Sequence, residues 1–126
     1  MGRILLFAAS ALLLATAAVH ASGQAMVNGW TGGLDHRQAM AICLVWITDS
    51  VSWAVVSALW AMAGWTRQRA WLGAATIAAV IPLTMFIGMM GIDPTFFGGW
   101  MLLGSVALAA GGIFACWRGS KGQQQP

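Results

Sequence analysis

Residues 38–64 read QAMAICLVWITDSVSWAVVSALWAMAG and contain one charged side chain, Asp49. An apolar run of this length can cross the hydrocarbon core of a bilayer, which takes roughly 20 residues of α-helix. The whole chain has the same character, since 60% of its 126 residues are hydrophobic and 7% are charged. Soluble domains carry about 25% charged residues. The sequence therefore predicts an integral membrane protein whose main partner is the lipid bilayer.

Three further apolar runs accompany this segment, and the four together predict an all-α, four-helix transmembrane bundle. The predicted spans cover about residues 4–21, 38–64, 71–91 and 94–117. They form one membrane domain over residues 1–118. The polar residues 119–126 are expected to be a disordered tail.

The helix ends carry recognisable local signals. Asp35 followed by Gln38 fits a capping box at the start of the second helix. Asp93 followed by Pro94 fits an N-cap and first position for the fourth helix, where the missing N–H of proline costs nothing. Pro82 lies inside the third run and is expected to kink that helix.

The distribution of basic residues predicts the orientation. Five of them fall on the side that holds both termini and the loop between the second and third helices, and one, Arg37, falls on the other side. The five are Arg3, Arg67, Arg69, Arg118 and Lys121. The positive-inside rule then places both termini in the cytoplasm, with the protein in a bacterial inner membrane.

Two features of the first third of the chain have alternative interpretations. Met1-Gly2-Arg3, an apolar core and Val19-His20-Ala21 resemble a cleavable secretory signal, although the core is long for one and we expect the helix to be retained. The glycine-rich stretch from Ser22 to Leu34 is expected to be an outer loop. It is interpreted as a partner-docking loop or a re-entrant segment, with Trp30 as an interfacial anchor.

The second span carries the main candidate site. Three tryptophans recur every seven residues and share a helix face with Asp49. They are Trp46, Trp53 and Trp60. The hydroxyls of Thr48 and Ser52 flank the acid, so they could donate to its carboxylate or bond back to their own helix.

Three interpretations of Asp49 stay open. In the first, the acid locks the bundle through hydrogen bonds. In the second, it exchanges a proton or binds a cationic ligand against the tryptophan faces. In the third, it lies at an interface with another membrane protein. Ionisable groups inside spans are costly and commonly functional, which makes Asp49 the leading candidate residue.

His20 is the second candidate, because it ends the first apolar run. It is interpreted as an interfacial histidine, a proton-relay partner, or a ligand to a metal, haem or chlorophyll centre. At about 1.5 Å of rise per residue, His20 is expected roughly 10 Å closer to the outer surface than Asp49. A direct contact between the two side chains is therefore not expected, and the sequence leaves any cofactor unknown.

Small residues and cysteines complete the inventory of the spans. The fourth span carries small residues at spacings of three and four, which is typical of a close-packing helix face. They are Gly104, Ala107, Gly111 and Ala115. Cys43 and Cys116 are predicted near opposite membrane faces, too far apart for the Cα separation of under about 7 Å that a disulfide needs.

Parts of three helices resemble a group of short, four-span bacterial membrane proteins without an assigned function. The resemblance implies the four-span fold and no activity. Where that group is expected to have a histidine just after Trp46, this chain has Ile47, Thr48 and Asp49. The matching stretches are Val19-His20-Ala21-x-Gly23-Gln24, Leu44-Val45-Trp46 with Ser52-Trp53, and Gly91 to Gly104.

These patterns lead to two functional hypotheses. The chain shows no nucleophile–base pair, phosphate loop or metal-ligand cluster, so we expect no enzyme, and its scattered basic residues argue against nucleic acid as a partner. The leading hypothesis is a non-catalytic accessory or structural component that forms a homo-oligomer or joins a larger membrane complex. The alternative is a small proton-linked transporter of a lipophilic or cationic compound that uses Asp49.

Overall fold

The structure is a computed structural model that describes the backbone of residues 1–121 and the side chains of residues 1–119. Six α-helices and one 3₁₀ turn make up four candidate membrane spans, with no strand in this part of the chain. The predicted all-α, four-helix transmembrane bundle is confirmed.

The first span is longer than predicted. Helix α1 covers Gly2–Ser22, α2 covers Gln24–Trp30, and the 3₁₀ turn covers Thr31–Gly33. Gly23 joins the first two helices without leaving the helical region, at φ −72° and ψ −3°. The prediction of an outer loop from Ser22 to Leu34 is therefore wrong, because the backbone is helical through most of this stretch.

The second span is the single helix α3, His36–Thr66. Asp35 caps it as predicted, because its carboxylate accepts hydrogen bonds from the backbone N–H groups of Arg37 and Gln38 at 2.9 and 3.0 Å. These bonds satisfy two of the four N–H groups that a helix start leaves free. The return bond of a capping box, from the Gln38 side chain, does not form within the described chain. The helix closes at Arg67, whose φ of 55° lies in the left-handed region that commonly ends helices.

The third span is interrupted. Helix α4 covers Arg69–Ala78 and α5 covers Val80–Ile92, with Ala79 between them. The interruption lies three residues before Pro82, whose ring cannot donate to the helix and crowds the preceding turn. Ala79 itself stays in the helical region, at φ −63° and ψ −17°, so the two helices still form one span, and the predicted kink at Pro82 stays a prediction.

The fourth span, α6, covers Phe97–Lys121. Asp93 does not cap it, contrary to the prediction, because its carboxylate accepts instead from the backbone N–H and hydroxyl of Thr95, at 2.9 and 2.7 Å. Pro94 therefore lies in a turn, and the helix begins three residues later than expected.

The far end of α6 also differs from the prediction. The helix runs to Lys121, past residue 119, where the disordered tail was expected to begin. The rest of that predicted tail, residues 122–126, lies outside the described residues.

Helix α1 packs against both α3 and α6, and the third span in turn packs against α3 and α6. The signal-like first run thus forms part of the core. Around this core the outward side chains are mostly apolar, as lipid requires. The buried residues that define the core include Leu6, Leu13, Trp53, Trp60, Leu72 and Leu102.

The closest helix approach joins α1 to α6 at Gly112. A Cβ atom at this position would lie 2.8 Å from Leu6 Cγ and 2.9 Å from the Gly2 carbonyl oxygen. Two further α6 residues, Ser105 and Ala109, are fully buried. Gly2 faces Gly112 from α1, where a Cβ would lie 2.8 Å from the Gly112 carbonyl oxygen, so neither position has room for a side chain.

This buried face is rotated by about one residue from the predicted packing face. A Cβ at Gly104 or Gly111 would lie 3.5 or 3.6 Å from α1 side chains, which is ordinary contact. Ala107 is exposed and Ala115 is half-buried. The four predicted positions thus flank the tightest contact rather than form it.

The two ends of the bundle are different in character. Arg3, Thr66, Arg67 and Gly119 line one recess of about 390 Å³, so the N-terminus, the α3–α4 turn and the end of α6 meet at one end. At the other end, α2 contacts only α1, α3 and the 3₁₀ turn among the described residues.

Residues 24–45, which comprise α2, the 3₁₀ turn and the first third of α3, form a helical hairpin that we call the outer hairpin. Leu12 of α1 lies opposite Gly104 of α6, and Leu6 lies opposite Gly112. This register places the start of α6 level with about residue 20 of α1, so the outer hairpin extends beyond it.

Candidate functional site

His20 is the centre of a polar and aromatic cluster at the base of the outer hairpin. Its ring stacks on Trp46 with centroids 3.8 Å apart and planes at 15°. The ring of Trp53 lies 4.7 Å away on a tilted plane. Nδ1 of His20 lies 2.8 Å from Ser50 Oγ. The structure thus brings together the predicted candidates His20, Trp46 and Trp53.

His20 lies at the level of Ser50, next to Asp49, rather than 10 Å further out as expected. The expectation assumed that α1 ends near Ala21 and that its last turn meets the membrane surface. Because the helical backbone continues into α2, His20 lies well inside the first span and faces the middle of α3.

Trp46 and Gly23 make this close approach possible. The Trp46 indole Nε1–H donates to the His20 carbonyl oxygen at 2.8 Å. The same ring covers Gly23, where a Cβ would lie 2.8 Å from Trp46 Cζ2. A larger residue at position 23 would therefore push the indole away from the histidine.

The Ser50 hydroxyl lies between two polar atoms, His20 Nδ1 at 2.8 Å and the Trp46 carbonyl oxygen at 3.2 Å. Its single proton goes to one of them, so Nδ1 is either the acceptor from Ser50 or the donor to it. In both tautomers, His20 Nε2 has no hydrogen-bond partner in the part of the chain that the structure describes.

A cavity of about 430 Å³ opens beside His20, and we call it the outer cavity. Its wall combines α1, α3 and the α5–α6 turn. The lining is almost entirely apolar and includes three methionines. The main lining residues are His20, Met26, Trp46, Trp53, Met89, Phe96, Phe97 and Met101.

Asp49 lies next to this cluster but outside the outer cavity. It is half-buried in a shallow groove with Ala41, Ile42 and Val45. It directly precedes Ser50, the hydrogen-bond partner of His20, although no hydrogen bond joins Asp49 to any side chain among residues 1–119. The acid of the second span thus lacks a direct polar partner within the described chain.

The other predicted site residues are placed elsewhere. Thr48 is exposed and Ser52 is half-buried, and neither bonds to Asp49. Trp60 is buried in the core, where its Nε1–H donates to the Ala75 carbonyl oxygen at 3.1 Å. It therefore joins the second span to the third, and at 11 residues along the helix it is roughly 16 Å from Asp49.

Ser50 and the cavity methionines were missed by sequence reasoning. Ser50 is one turn from Trp46, so its position on the tryptophan face was readable from the sequence. Met26, Met89 and Met101 come from three separate helices, and no local pattern links them.

The cluster offers little for metal binding or covalent chemistry. No group of three His, Cys, Asp or Glu residues is placed to hold a metal ion within the described chain. His20 and Ser50 have the residue types of a base and a nucleophile, but Ser50 is 8% exposed and sits in mid-helix. The helical N–H groups around it are used by the helix, so they offer no oxyanion site.

No family model, curated protein or solved structure matches the chain. Four long apolar helices identify it as a small membrane protein. Its further role must be inferred from the outer hairpin, the histidine cluster and the outer cavity.

Proposed function

We propose that the chain is a non-catalytic accessory subunit of a larger membrane complex, and that the outer hairpin is the surface that joins the complex. The observation that carries the proposal is that this hairpin is apolar but uncovered. Its exposed large apolar residues are Met26, Trp30, Leu34, Met40, Ile42, Leu44 and Val45. Contiguous apolar surface of this kind commonly marks an interaction site.

The lengths of the helices explain why lipid alone does not cover this surface. The first two candidate spans contain 32 and 31 residues, against 24 and 23 in the other two. At about 1.5 Å per residue the longer pair extends roughly 47 Å, while the hydrocarbon core is about 30 Å thick. Part of the outer hairpin therefore lies where its apolar side chains need protein rather than acyl chains.

Asp49 supports the same proposal. Its groove continues directly from the hairpin residues Ala41, Ile42 and Val45. A carboxyl group at this depth is stabilised by a hydrogen-bond donor, and a helix of the partner protein is well placed to supply one.

The location follows from the basic end of the bundle. Arg3 and Arg67 share one recess with the N-terminus and Gly119. We place this end in the cytoplasm of a bacterium, on the basis of the positive-inside rule, and the outer hairpin on the opposite side of the inner membrane.

The test is purification from native membrane in mild detergent, followed by mass spectrometry of the proteins that remain bound. One double variant, Ile42→Ser with Val45→Ser, alters the outer hairpin. The control, Ile77→Ser with Ile87→Ser, removes residues of the third span that are 75% and 61% exposed, against 43% and 62% for Ile42 and Val45. A partner retained by the wild type and the control but lost from the hairpin variant is expected.

Two results would contradict the proposal. A partner bound equally well by the hairpin variant and the control would place the interface elsewhere. A homo-oligomer without any second protein would remove the accessory role and leave self-assembly.

Asp49→Leu is expected to weaken the complex more than Asp49→Asn, because the amide still accepts a hydrogen bond.

A second candidate function is proton-linked transport of a lipophilic or cationic compound. The observation that favours it is the position of Asp49, which directly precedes Ser50, the hydrogen-bond partner of His20 at the wall of the outer cavity. The core below is filled by Leu13 and Trp60, so a path to the other end would have to open between copies of the chain.

Liposome flux measurements separate this candidate from the first. A transporter predicts pH-dependent flux that Asp49→Asn abolishes. If no flux is measured, or if Asp49→Asn leaves the flux unchanged, the transport hypothesis is contradicted. Either result leaves the accessory role unaffected.

A further inference from the structure

We infer that the outer cavity is a binding site for an uncharged lipophile that carries an aromatic ring and a hydroxyl group. The site is distinct from the outer hairpin surface, and it does not depend on the accessory role. It rests on the size of the cavity, the chemistry of its wall and the two polar atoms that its wall leaves without partners.

The size and the wall favour a flat apolar ligand. A volume of about 430 Å³ lies within the range of roughly 300–1,000 Å³ that small-molecule sites occupy. Met26, Met89 and Met101 surround it, and thioether sulfurs make favourable contacts with aromatic rings. The faces of Phe96 and Trp46 add offset or edge-to-face partners for such a ring.

The polar atoms select a hydroxyl group. His20 Nδ1 is engaged with Ser50 Oγ, which leaves Nε2 without a hydrogen-bond partner among residues 1–119; it is a donor in one tautomer and an acceptor in the other. The indole Nε1 of Trp53 is a buried donor without an acceptor in the described chain. A hydroxyl group both donates and accepts, so it matches this pair better than a carbonyl or an amine does.

The placement of charges around the cavity favours a neutral ligand over a cationic one. The acid of this region, Asp49, lines the separate groove and not the cavity. A cation in the outer cavity would be desolvated without a counter-charge in the wall, which is costly in an apolar site. A neutral ligand avoids this cost.

The rim provides access from the bilayer. Val19, Met26 and Phe97 are 66%, 51% and 72% exposed and stand at the mouth of the cavity. A lipophile that is concentrated in the membrane can therefore enter sideways, without crossing the bundle.

The test uses the purified full-length protein in detergent micelles and three probes. They are 4-bromophenol, 4-bromotoluene and 4-bromophenyl-trimethylammonium. Binding is read from quenching of tryptophan fluorescence, corrected for partition into protein-free micelles. One neutral hydrogen bond corresponds to a difference of about three- to tenfold in affinity. The phenol is therefore expected to bind that much more tightly than the toluene.

Variants separate the hydroxyl contact from simple filling of the cavity. His20→Phe keeps a ring at position 20 but removes Nε2, so it is expected to abolish the preference for phenol while toluene still binds. Met101→Trp fills the cavity and is expected to weaken both neutral probes. Met62→Trp, on an exposed face elsewhere, is the matched control and is expected to change neither.

Three outcomes would overturn the inference. The phenol and the toluene could bind equally in the wild type, which would make the cavity a site for hydrocarbon such as an acyl chain. The phenol preference could survive His20→Phe in a folded variant. The ammonium probe could bind more tightly than both, which would point to a cation site. None of these outcomes changes the accessory proposal, because the hairpin variants test that separately.

Discussion

At the scale of single residues, two glycines determine how closely the spans approach each other. Gly112 lets α6 reach the backbone of α1, and Gly23 lets the Trp46 ring cover the junction of α1 and α2. In lipid, helices gain little from burying apolar surface, so close van der Waals packing at small residues carries much of their association. A single methyl group at either position therefore has a large effect.

Gly112 and Gly111 form a matched pair for testing this. Gly112→Ala is expected to destabilise the protein by about 1–3 kcal/mol, because its methyl group meets backbone atoms of α1 that cannot move aside. Gly111→Ala adds ordinary contact and the higher helix propensity of alanine, so it is expected to be neutral or slightly stabilising. Unfolding in mixed SDS micelles measures both, and equal losses would contradict the assignment of the tight contact.

At the scale of helices, α1 and α3 are joined by a reciprocal serine pair. Ser10 Oγ lies 2.9 Å from the Ser57 carbonyl oxygen, and Ser57 Oγ lies 2.9 Å from the Ser10 carbonyl oxygen. Both side chains are buried, so each hydroxyl finds its partner across the interface rather than in water. The pair is formed in the same register that brings His20 opposite Ser50, and we expect it to contribute to that register.

A double-mutant cycle on this pair measures its contribution. Ser10→Ala, Ser57→Ala and the double variant are expected to give a coupling of about 0.6 kcal/mol and at most about 1.7 kcal/mol, the range of buried hydrogen bonds between membrane helices. The control is Thr84→Ala, whose hydroxyl bonds within its own helix. A coupling of zero would mean that helix packing alone sets the register.

The turn between α5 and α6 has a pH dependence of its own. Hydrogen bonds from the Thr95 hydroxyl and then the Thr95 backbone N–H lower the pKa of Asp93 below its ordinary value. The stabilisation of the turn is therefore present above the ordinary carboxyl pKa of about 3.9. It is lost as the pH falls through the lowered pKa.

NMR titration of the Asp93 side chain checks this prediction. Thr95→Ala removes the hydroxyl donor and is expected to move the pKa of Asp93 back towards the ordinary value, while Thr84→Ala leaves it in place. An unchanged pKa in the Thr95 variant would show that the backbone N–H alone holds the carboxylate.

At the scale of the whole molecule, the bundle is asymmetric from end to end. The basic end gathers the N-terminus, the α3–α4 turn and the end of α6, and the opposite end carries the protruding outer hairpin. Under the proposed topology and accessory role, the basic end would face anionic lipid headgroups and the cytoplasm, and the opposite end would face the partner protein.

Labelling with a membrane-impermeant maleimide tests the proposed orientation. In a background with Cys43→Ser and Cys116→Ser, Gln38→Cys at the start of α3 is expected to react in intact cells. Gln68→Cys, in the exposed α3–α4 turn, is expected to react only after permeabilisation. The reverse pattern would invert the topology.

Local signals predicted several elements correctly, because they depend on nearby atoms alone. Asp35 caps α3 because its carboxylate reaches amides two and three residues away. Predictions from the local sequence were wrong where two local conformations are close in energy. Asp93 can cap a helix or a turn with the same side chain, and Gly23 can end a helix or continue it.

The candidate site was only partly predictable for the same reason. The spacing of Trp46 and Trp53 indicated one helix face, and both lie at the site. The partner of His20 depended on the length of the first helix, which the glycine-rich composition of residues 22–34 concealed.

The sequence by itself determined that this protein is a four-span helical membrane protein, because long apolar runs in lipid can satisfy their backbone hydrogen bonds only within helices. Only the tertiary structure decided that His20 meets Ser50 rather than Asp49, that Gly112 makes the closest contact, and that an outer cavity forms. These features depend on the register between helices. That register depends on many small packing and hydrogen-bond contributions between residues far apart in the chain, so no local sequence pattern predicts it.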